Sequence, residues 1–356
     1  MLIEKSSLQL LMRKTKGTFM KYCFVIPYQC IAPKGGVKIQ AEMWKVGLEK
    51  LGHSVTMAGS WDTPEWSSFD AIIIFGYAPG VASLAEALAK ENPHLVMAPI
   101  IDPPWAGFIY KFFVKYWGAK RFLGLSSRFH DLWLAKKFLC LWLVRSEEER
   151  YMVNYALEIP QEKIVKIPLH YRIPLLEGFP QKENFCFHAS RLKSANKNVP
   201  RMIEAAKKYG FNLKLAGHLM GDSERSWLDN LIGNAKNIEY VGEVSEAELL
   251  DYYKQAKVLA LPSLYEGVGM VALEGAAYGC EVVLTNFGAP KEYYDGRAIL
   301  VNPKSVDEIG QGITKALKEG FSQPELKTYI ENHYSERALM QKMNEKISAA
   351  IGKSVV

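Results

Sequence analysis

No two of the five cysteines (Cys23, Cys30, Cys140, Cys186, Cys280) form a C-x-x-C pair. Odd in number and scattered, they suggest neither a disulfide framework nor a zinc site, and a reducing, cytoplasmic setting is expected. No stretch reaches the roughly 18–20 uncharged apolar residues needed to span a bilayer. The longest candidate, AIIIFGYAPGVASLA after Asp70, is broken by Gly and Pro and reads as strand, turn and helix. No D-x-D occurs, so a common acidic metal-binding spacing is missing, and no metal site is expected. Residues 1–19 have mixed charge and no long apolar centre, so they do not read as a signal peptide. They form an extension, either an amphipathic helix or a start-site artefact. Internal repeats and low-complexity tracts are also absent.

What is present is an ordinary globular composition, 49% hydrophobic and 23% charged over 356 residues. That length suits two core-forming domains. Short apolar runs alternate with helix-like stretches, the pattern of α/β architecture with parallel sheets. CFVIP, SVTMAG, AIIIFG and HLVMAPI read as buried strands of a first domain, with the amphipathic helix VKIQAEMWKVGLEKLG between the first two. FCFHAS, NLKLAG, IEYVG, VLALPS and EVVLTN restart the pattern. The expected boundaries are a Rossmann-like domain at 20–170, a Pro- and Gly-rich linker at 171–183, a second Rossmann-like domain at 184–334 and a C-terminal helix at 335–356. Open α/β sheets bind ligands at the carboxyl ends of their strands.

The formal charge of +6 is unevenly spread. Residues 105–145 carry Lys111, Lys115, Lys120, Arg121, Arg128, Lys136, Lys137 and Arg145 against Asp131 alone, together with twelve aromatic residues. WAGFIYKFFVKYWGAKRFLG and HDLWLAKKFLCLWLV mix cations with Trp, Tyr, Phe and Leu, as interfacial helices do. Two readings stand: a first-domain core whose surface is covered by cations, or peripheral attachment to an anionic membrane. The apolar helical spacing matches no nucleic-acid-binding module, and no nucleic acid is expected.

The densest chemistry lies in LALPSLYEGVGMVALEGAAYGCEVVLTN. VLALPS reads as a strand and Met270 to Tyr278 as a helix, with Tyr265-Glu266-Gly267-Val268-Gly269 as the turn between them. Gly267 and Gly269 permit close backbone approach, and the free amides and dipole of the helix start favour an anion. Glu266 sits at the mouth, with Glu274 further along the helix. Carboxylates flanking an anion cradle suit a phosphate ligand with hydroxyls on both sides, a sugar on one and ribose on the other. The spacing alone is weak evidence, since about two E-x7-E pairs arise by chance in an ordinary composition.

PSLYEGVGMVALEGAAYGCEVVLTNFGAPKEYY resembles the hallmark of retaining glycosyltransferase family 4, which has the GT-B fold of two facing Rossmann-like domains with a C-terminal helix crossing back to the first. GEVSEAELLDYYKQAKVLALPS resembles the segment before that hallmark, and APKGGVKIQAEMWKVGLEKLGHSVTMAG the first glycine loop and helix. The resemblance implies a transferase moving a sugar from a nucleoside-diphosphate sugar, UDP or GDP, to a carbohydrate or lipid-linked acceptor hydroxyl, without metal or other cofactor. It implies that Glu266 holds donor-sugar hydroxyls and Glu274 the ribose. The amides of Val268, Gly269 and Met270 would meet the distal phosphate or the sugar, and Arg191 and Lys197 the diphosphate. Val244 would lie near the base, and Gly35 and Gly36 form the first-domain glycine loop.

Three departures are visible. Arg191 and Lys197 are one residue further apart than usual, which leaves Lys193 as an alternative. IPLHYRIP lacks the common Asn-Gly before the linker. Asp102 stands about where the family has a His. It either takes over a sugar contact or caps the strand end, with His130 and His94 as alternatives. Catalytically degenerate nucleotide-sugar binding and epimerisation on the same fold are the competing functions.

Overall fold

The computed structural model describes residues 19–27, 36–59, 62–102, 107–117 and 128–352. Contacts divide the chain into two units. One comprises Met1–Ile101, Trp105–Pro168 and Glu336–Val356, and the other Asp102–Pro104 and Leu169–Ser335. The segment expected to be a linker is therefore part of the second unit. The extension at 1–18 lies outside the described residues.

The first unit holds a six-stranded sheet of β1 (Lys21–Val25), β2 (Ser54–Ala58), β3 (Ala71–Phe75), β4 (Leu95–Ala98), β5 (Leu141–Val144) and β6 (Ile164–Lys166) in the order β2-β1-β3-β4-β5-β6. Every pair is parallel. Such sheets are covered on both faces, which explains why AIIIF and LVMA are apolar without alternation and wholly buried. Helix α1 (Gly36–Lys50) buries Ala41, Trp44 and Leu48. The remaining helices of the unit are α2 (Val81–Glu91), α3 (Gly107–Phe112), α4 (Arg128–Ala135) and α5 (Glu147–Leu157).

Within the basic segment, part of the amphipathic run belongs to the sheet. HDLWLAKKFLCLWLV is not one helix: α4 ends at Ala135, a tight turn spans Lys136–Phe138, and LWLV is strand β5, with Trp142 fully buried. Its aromatic residues therefore serve largely as core.

The second unit has β7 (Glu183–Ala189), β8 (Leu213–Ala216), β9 (Ile238–Gly242), β10 (Ala256–Leu261), β11 (Glu281–Thr285) and β12 (Ile299–Val301), ordered β12-β11-β10-β7-β8-β9. All pairs are again parallel. Its helices are α6 (Val199–Tyr209), α7 (Gly221–Ile232), α8 (Glu246–Gln255), α9 (Met270–Ala277), α10 (Pro290–Tyr293), α11 (Val306–Glu319) and α12 (Glu325–His333). Chain order reverses direction between β7 and β10, which makes their carboxyl ends the topological switch point of this sheet.

The C-terminal helix α13 (Glu336–Ala350) groups with the first unit. It lies against α1, where the missing side chain of Gly47 leaves room for Met340. Asn344 accepts a 2.6 Å bond from the Tyr22 hydroxyl, and Lys50 pairs with Glu336 at 2.7 Å.

Candidate functional site

Two loops leave the switch point of the second unit, residues 190–198 after β7 and 262–269 after β10. They are bonded to one another. Asn196 accepts from the amides of Leu264 and Tyr265 through its carbonyl and side-chain oxygens, at 2.8 and 3.2 Å. Buried Asn198 takes a left-handed conformation and donates to the carbonyls of Pro262 (2.9 Å) and Pro303 (2.6 Å). Beneath them, His188 is wholly enclosed between the Ala260 carbonyl (2.8 Å) and the Ser190 hydroxyl (2.7 Å). Burial pushes its pKa down to about 4, so it is neutral at pH 7.

This frame brings Lys197 and Glu266 together. Lys197 Nζ lies 2.8 Å from Glu266 Oε2, which also accepts from the Ser263 hydroxyl at 2.8 Å. The extra residue in the Arg191–Lys197 spacing is absorbed in a tight turn over Ala195–Lys197. Lys193 points elsewhere, its ammonium 4.1 Å from the centre of the Trp227 ring. Arg191 is exposed, and its guanidinium makes no ion pair among the described residues. Glu266 also forms an isolated parallel bridge with Gly288 in the loop after β11.

After Glu266 the chain turns into α9 through two glycines with different reasons. Gly269, the N-cap, has φ of 70°, a left-handed conformation that a side chain disfavours. Gly267 is needed for space, because a Cβ there would collide with the carboxylate of Asp102, which groups with the second unit. Val268 and Gly269 are buried, and Met270 opens the helix. Glu274, within α9, is 1% exposed and is bonded to Arg172 and Tyr253. Val244 immediately precedes Ser245, the N-cap of α8, which is closed by a capping box with Glu248.

Of the first-unit candidates, Gly36 is the exposed first residue of α1, and Gly35 lies outside the described residues. Just before Asp102, Ile100 holds φ of 53°, an unusual value for a β-branched residue that costs about 1–3 kcal/mol. The next residue is held firmly: Glu149 accepts from the Ile101 amide at 2.6 Å, and Arg145, paired with Glu149, donates to its carbonyl at 3.2 Å. The alternative histidines are engaged in structure. His130 is buried, bonded to the Val114 carbonyl and stacked on Trp133, and His94 bonds the Asp70 carbonyl.

Sequence reasoning missed Arg172, Tyr253, Ser263, Asn196 and Asn198 as site residues. Only Ser263, three residues before Glu266 in the hallmark, offered a local signal. A cavity of about 330 Å³ in the second unit opens at the opposite, amino-terminal edge of β7–β9, lined by Asn184, Lys214, Lys236 and Asn237 among others. Parallel sheets do not bind ligands at that edge as a rule, and Lys214 there is turned to Glu239 and the Phe185 ring.

Residues 176–336, nearly all of them in the second unit, match the model of the family described as Glycosyl transferases group 1. An uncharacterized glycosyltransferase of Methanocaldococcus jannaschii is 33% identical over 129 residues, 35% of this chain and 32% of that protein. O-antigen chain mannosyltransferase B of Escherichia coli is 26% identical over 130 residues, 35% and 34% of the two chains. The chain thus spans about a third of the length of these curated relatives. Among solved structures, a sucrose-phosphate synthase from Thermosynechococcus elongatus superposes with a TM-score of 0.74 at 15% identity, covering 94% of this chain and all of that one. AviGT4, a glycosyltransferase involved in avilamycin A biosynthesis, gives 0.64 at 15% identity over 94% and 99%. At such identities the likeness is one of fold, and the fold is GT-B.

Proposed function

We propose that the protein is a glycosyltransferase that moves a sugar from a nucleoside-diphosphate sugar, UDP- or GDP-linked, to a carbohydrate hydroxyl. The observation that carries this reading is the Lys197–Glu266 pair, held beside the glycine turn and the start of α9 at the switch point of the sheet. With donor bound, Lys197 and the exposed Arg191 take the diphosphate, one as a point charge and the other as a fork of donors. The amides at Val268, Gly269 and Met270 and the dipole of α9 add positive potential where the leaving group gathers charge. Glu266, relieved of Lys197, accepts from sugar hydroxyls, and Glu274 accepts from the ribose. Val244 borders the base. Asp102, beside Gly267, adds an acceptor near the sugar in place of the family's His. Retention follows if the acceptor hydroxyl enters on the face the diphosphate leaves, with a diphosphate oxygen taking the acceptor proton and no metal required.

Peripheral attachment to an anionic membrane belongs to the same proposal, with a lipid-linked acceptor. It is supported by α3, on which Phe108 and Phe112 are 65% and 51% exposed. Around it stand Lys111, Lys115 and Lys136, with Glu158 as a shared counter-charge at 3.7, 2.7 and 3.9 Å. Among the described residues no helix is long and apolar enough to cross a membrane.

The test is incubation of the protein with a panel of radiolabelled nucleotide sugars and candidate acceptors, with and without chelator. Chelator-insensitive transfer is expected, and Glu266→Gln should lower it ten- to a hundredfold, the loss of about 1.5–3 kcal/mol of charge-assisted hydrogen bonding. Binding without turnover would establish the degenerate reading, and interconversion of the sugar nucleotide without acceptor the epimerase.

A further inference from the structure

Arg172, the ion-pair partner of buried Glu274, has no part in the function proposed above. Arg172 arrives on the segment that leads into β7, where the family-like pattern predicts only a linker. Its Nε donates to Glu274 Oε1 at 2.5 Å, while the Tyr253 hydroxyl donates to Oε2 at 3.1 Å. Glu274 is 1% exposed and Arg172 a third exposed, and the guanidinium also reaches Glu246 at 3.7 Å. A carboxylate offers about four acceptor positions, and these two bonds use only two. Two remain, which is what a pair of vicinal ribose hydroxyls requires.

An enclosed carboxylate keeps its charge only with a partner. Burial raises the pKa of Glu274 above the usual carboxylate range, and Arg172 first, then Tyr253, draw it back. Among the described residues, Arg172 is the cation that acts most on it. From α8 the facing groups are Tyr253 and Glu246, an acid that adds to the upward push. Tyr278 and Tyr294 feel the charge of Glu274, and each is pushed up, chiefly by its own burial. The remaining charged groups on elements packed against α9 are committed elsewhere. Lys257 of β10 donates to the Leu317 carbonyl. Glu281 of β11 accepts from the amides of Phe321, Ser322 and Gln323. Lys327 of α12 pairs with Glu331.

Resting on the donor-site reading, we propose that Arg172 is the positioning residue of the ribose subsite, fixing the Glu274 carboxylate so that its two remaining acceptor positions meet the ribose hydroxyls. Without Arg172, burial is left less opposed and pushes the Glu274 carboxyl further toward its protonated form, in which one oxygen is a donor and the match to two hydroxyls is lost.

The experiment compares wild type, Arg172→Lys, Arg172→Ala and the double variant Arg172→Ala/Glu274→Gln, in calorimetric titration with UDP and GDP and in thermal unfolding, from about pH 5.5 to 8.5. Wild type and Arg172→Lys should bind the preferred nucleotide with little pH dependence. Arg172→Ala should bind about tenfold more weakly at the low end of that range and recover toward the high end, while the double variant stays weak throughout. The folded pKa of Glu274 already stands above its unfolded value in wild type and rises further in Arg172→Ala, so stability present at low pH is lost as pH rises, more steeply in the variant. The second substitution should remove that slope. If Arg172→Ala binds like wild type at every pH, or is weakened equally at every pH, Arg172 has no positioning role. If wild type binds neither nucleotide while the unfolding slope appears, the donor-site reading itself fails, and Arg172 serves stability alone.

Discussion

Lys197 and Glu266 neutralise one another at 2.8 Å while both remain partly exposed, 24% and 12%. Lys197 is thus ready to exchange a carboxylate for a phosphate oxygen, and Glu266 an ammonium for hydroxyl donors. Lys197→Ala should weaken nucleoside diphosphate binding, and Arg191→Ala should weaken it more, because a planar fork spans two phosphate oxygens where an ammonium meets one. Lys193→Ala should leave affinity unchanged, since its ammonium rests on Trp227; calorimetry on the three variants checks the order. His188 gives a pH-dependent expectation. Its folded pKa, about 4, lies below the ordinary value of 6.5. The unfolded chain therefore takes a proton first as pH falls. The stability tied to neutral His188 is complete above about pH 6.5 and declines toward pH 4, by up to about 3 kcal/mol. His188→Gln should flatten that part of the acid-unfolding curve, measured by denaturant titration at successive pH values. Residue-level legibility followed sequence distance. Glu266, the glycine turn and Glu274 lie within one short segment and were readable there. Arg172 meets Glu274 across 102 positions, a pairing that no local pattern encodes.

At the scale of elements, continuous apolar runs bounded by turns made β1 to β4 and β7 to β11 readable. Two strands escaped because β6 and β12 have three residues each, too few for a period to show. β5 escaped for another reason. LWLV follows Lys136, Lys137 and Phe138 after only Leu139 and Cys140, and the run of cations and aromatics mimics an amphipathic helix until the sheet claims its last residues. That leaves α3 as the described element best suited to a membrane surface. Phe108 and Phe112 extend from it beside Lys111 and Lys115. Binding to anionic vesicles should be salt-sensitive, each cation near the surface contributing about 1 kcal/mol. Phe108→Ser/Phe112→Ser should reduce co-sedimentation at low salt. Equal recovery of variant and wild type in the vesicle pellet would remove α3 from the membrane reading.

For the whole molecule, the two parallel sheets follow from chain length, the alternation of apolar and helical segments, and the restart of that pattern after residue 183. The basic excess belongs to the first unit, and the paired Lys197–Glu266 cradle to the second. The account's central claim is that the second unit receives a nucleoside diphosphate at the carboxyl ends of β7 and β10. Hydrogen–deuterium exchange with and without UDP or GDP tests it most directly. Bound nucleotide should slow exchange in residues 190–198 and 262–274, whose backbone and side chains form the proposed cradle. Protection confined instead to the amino-terminal edge, around Asn184, Asn212 and Asn237, or no protection anywhere in the second unit, would contradict it.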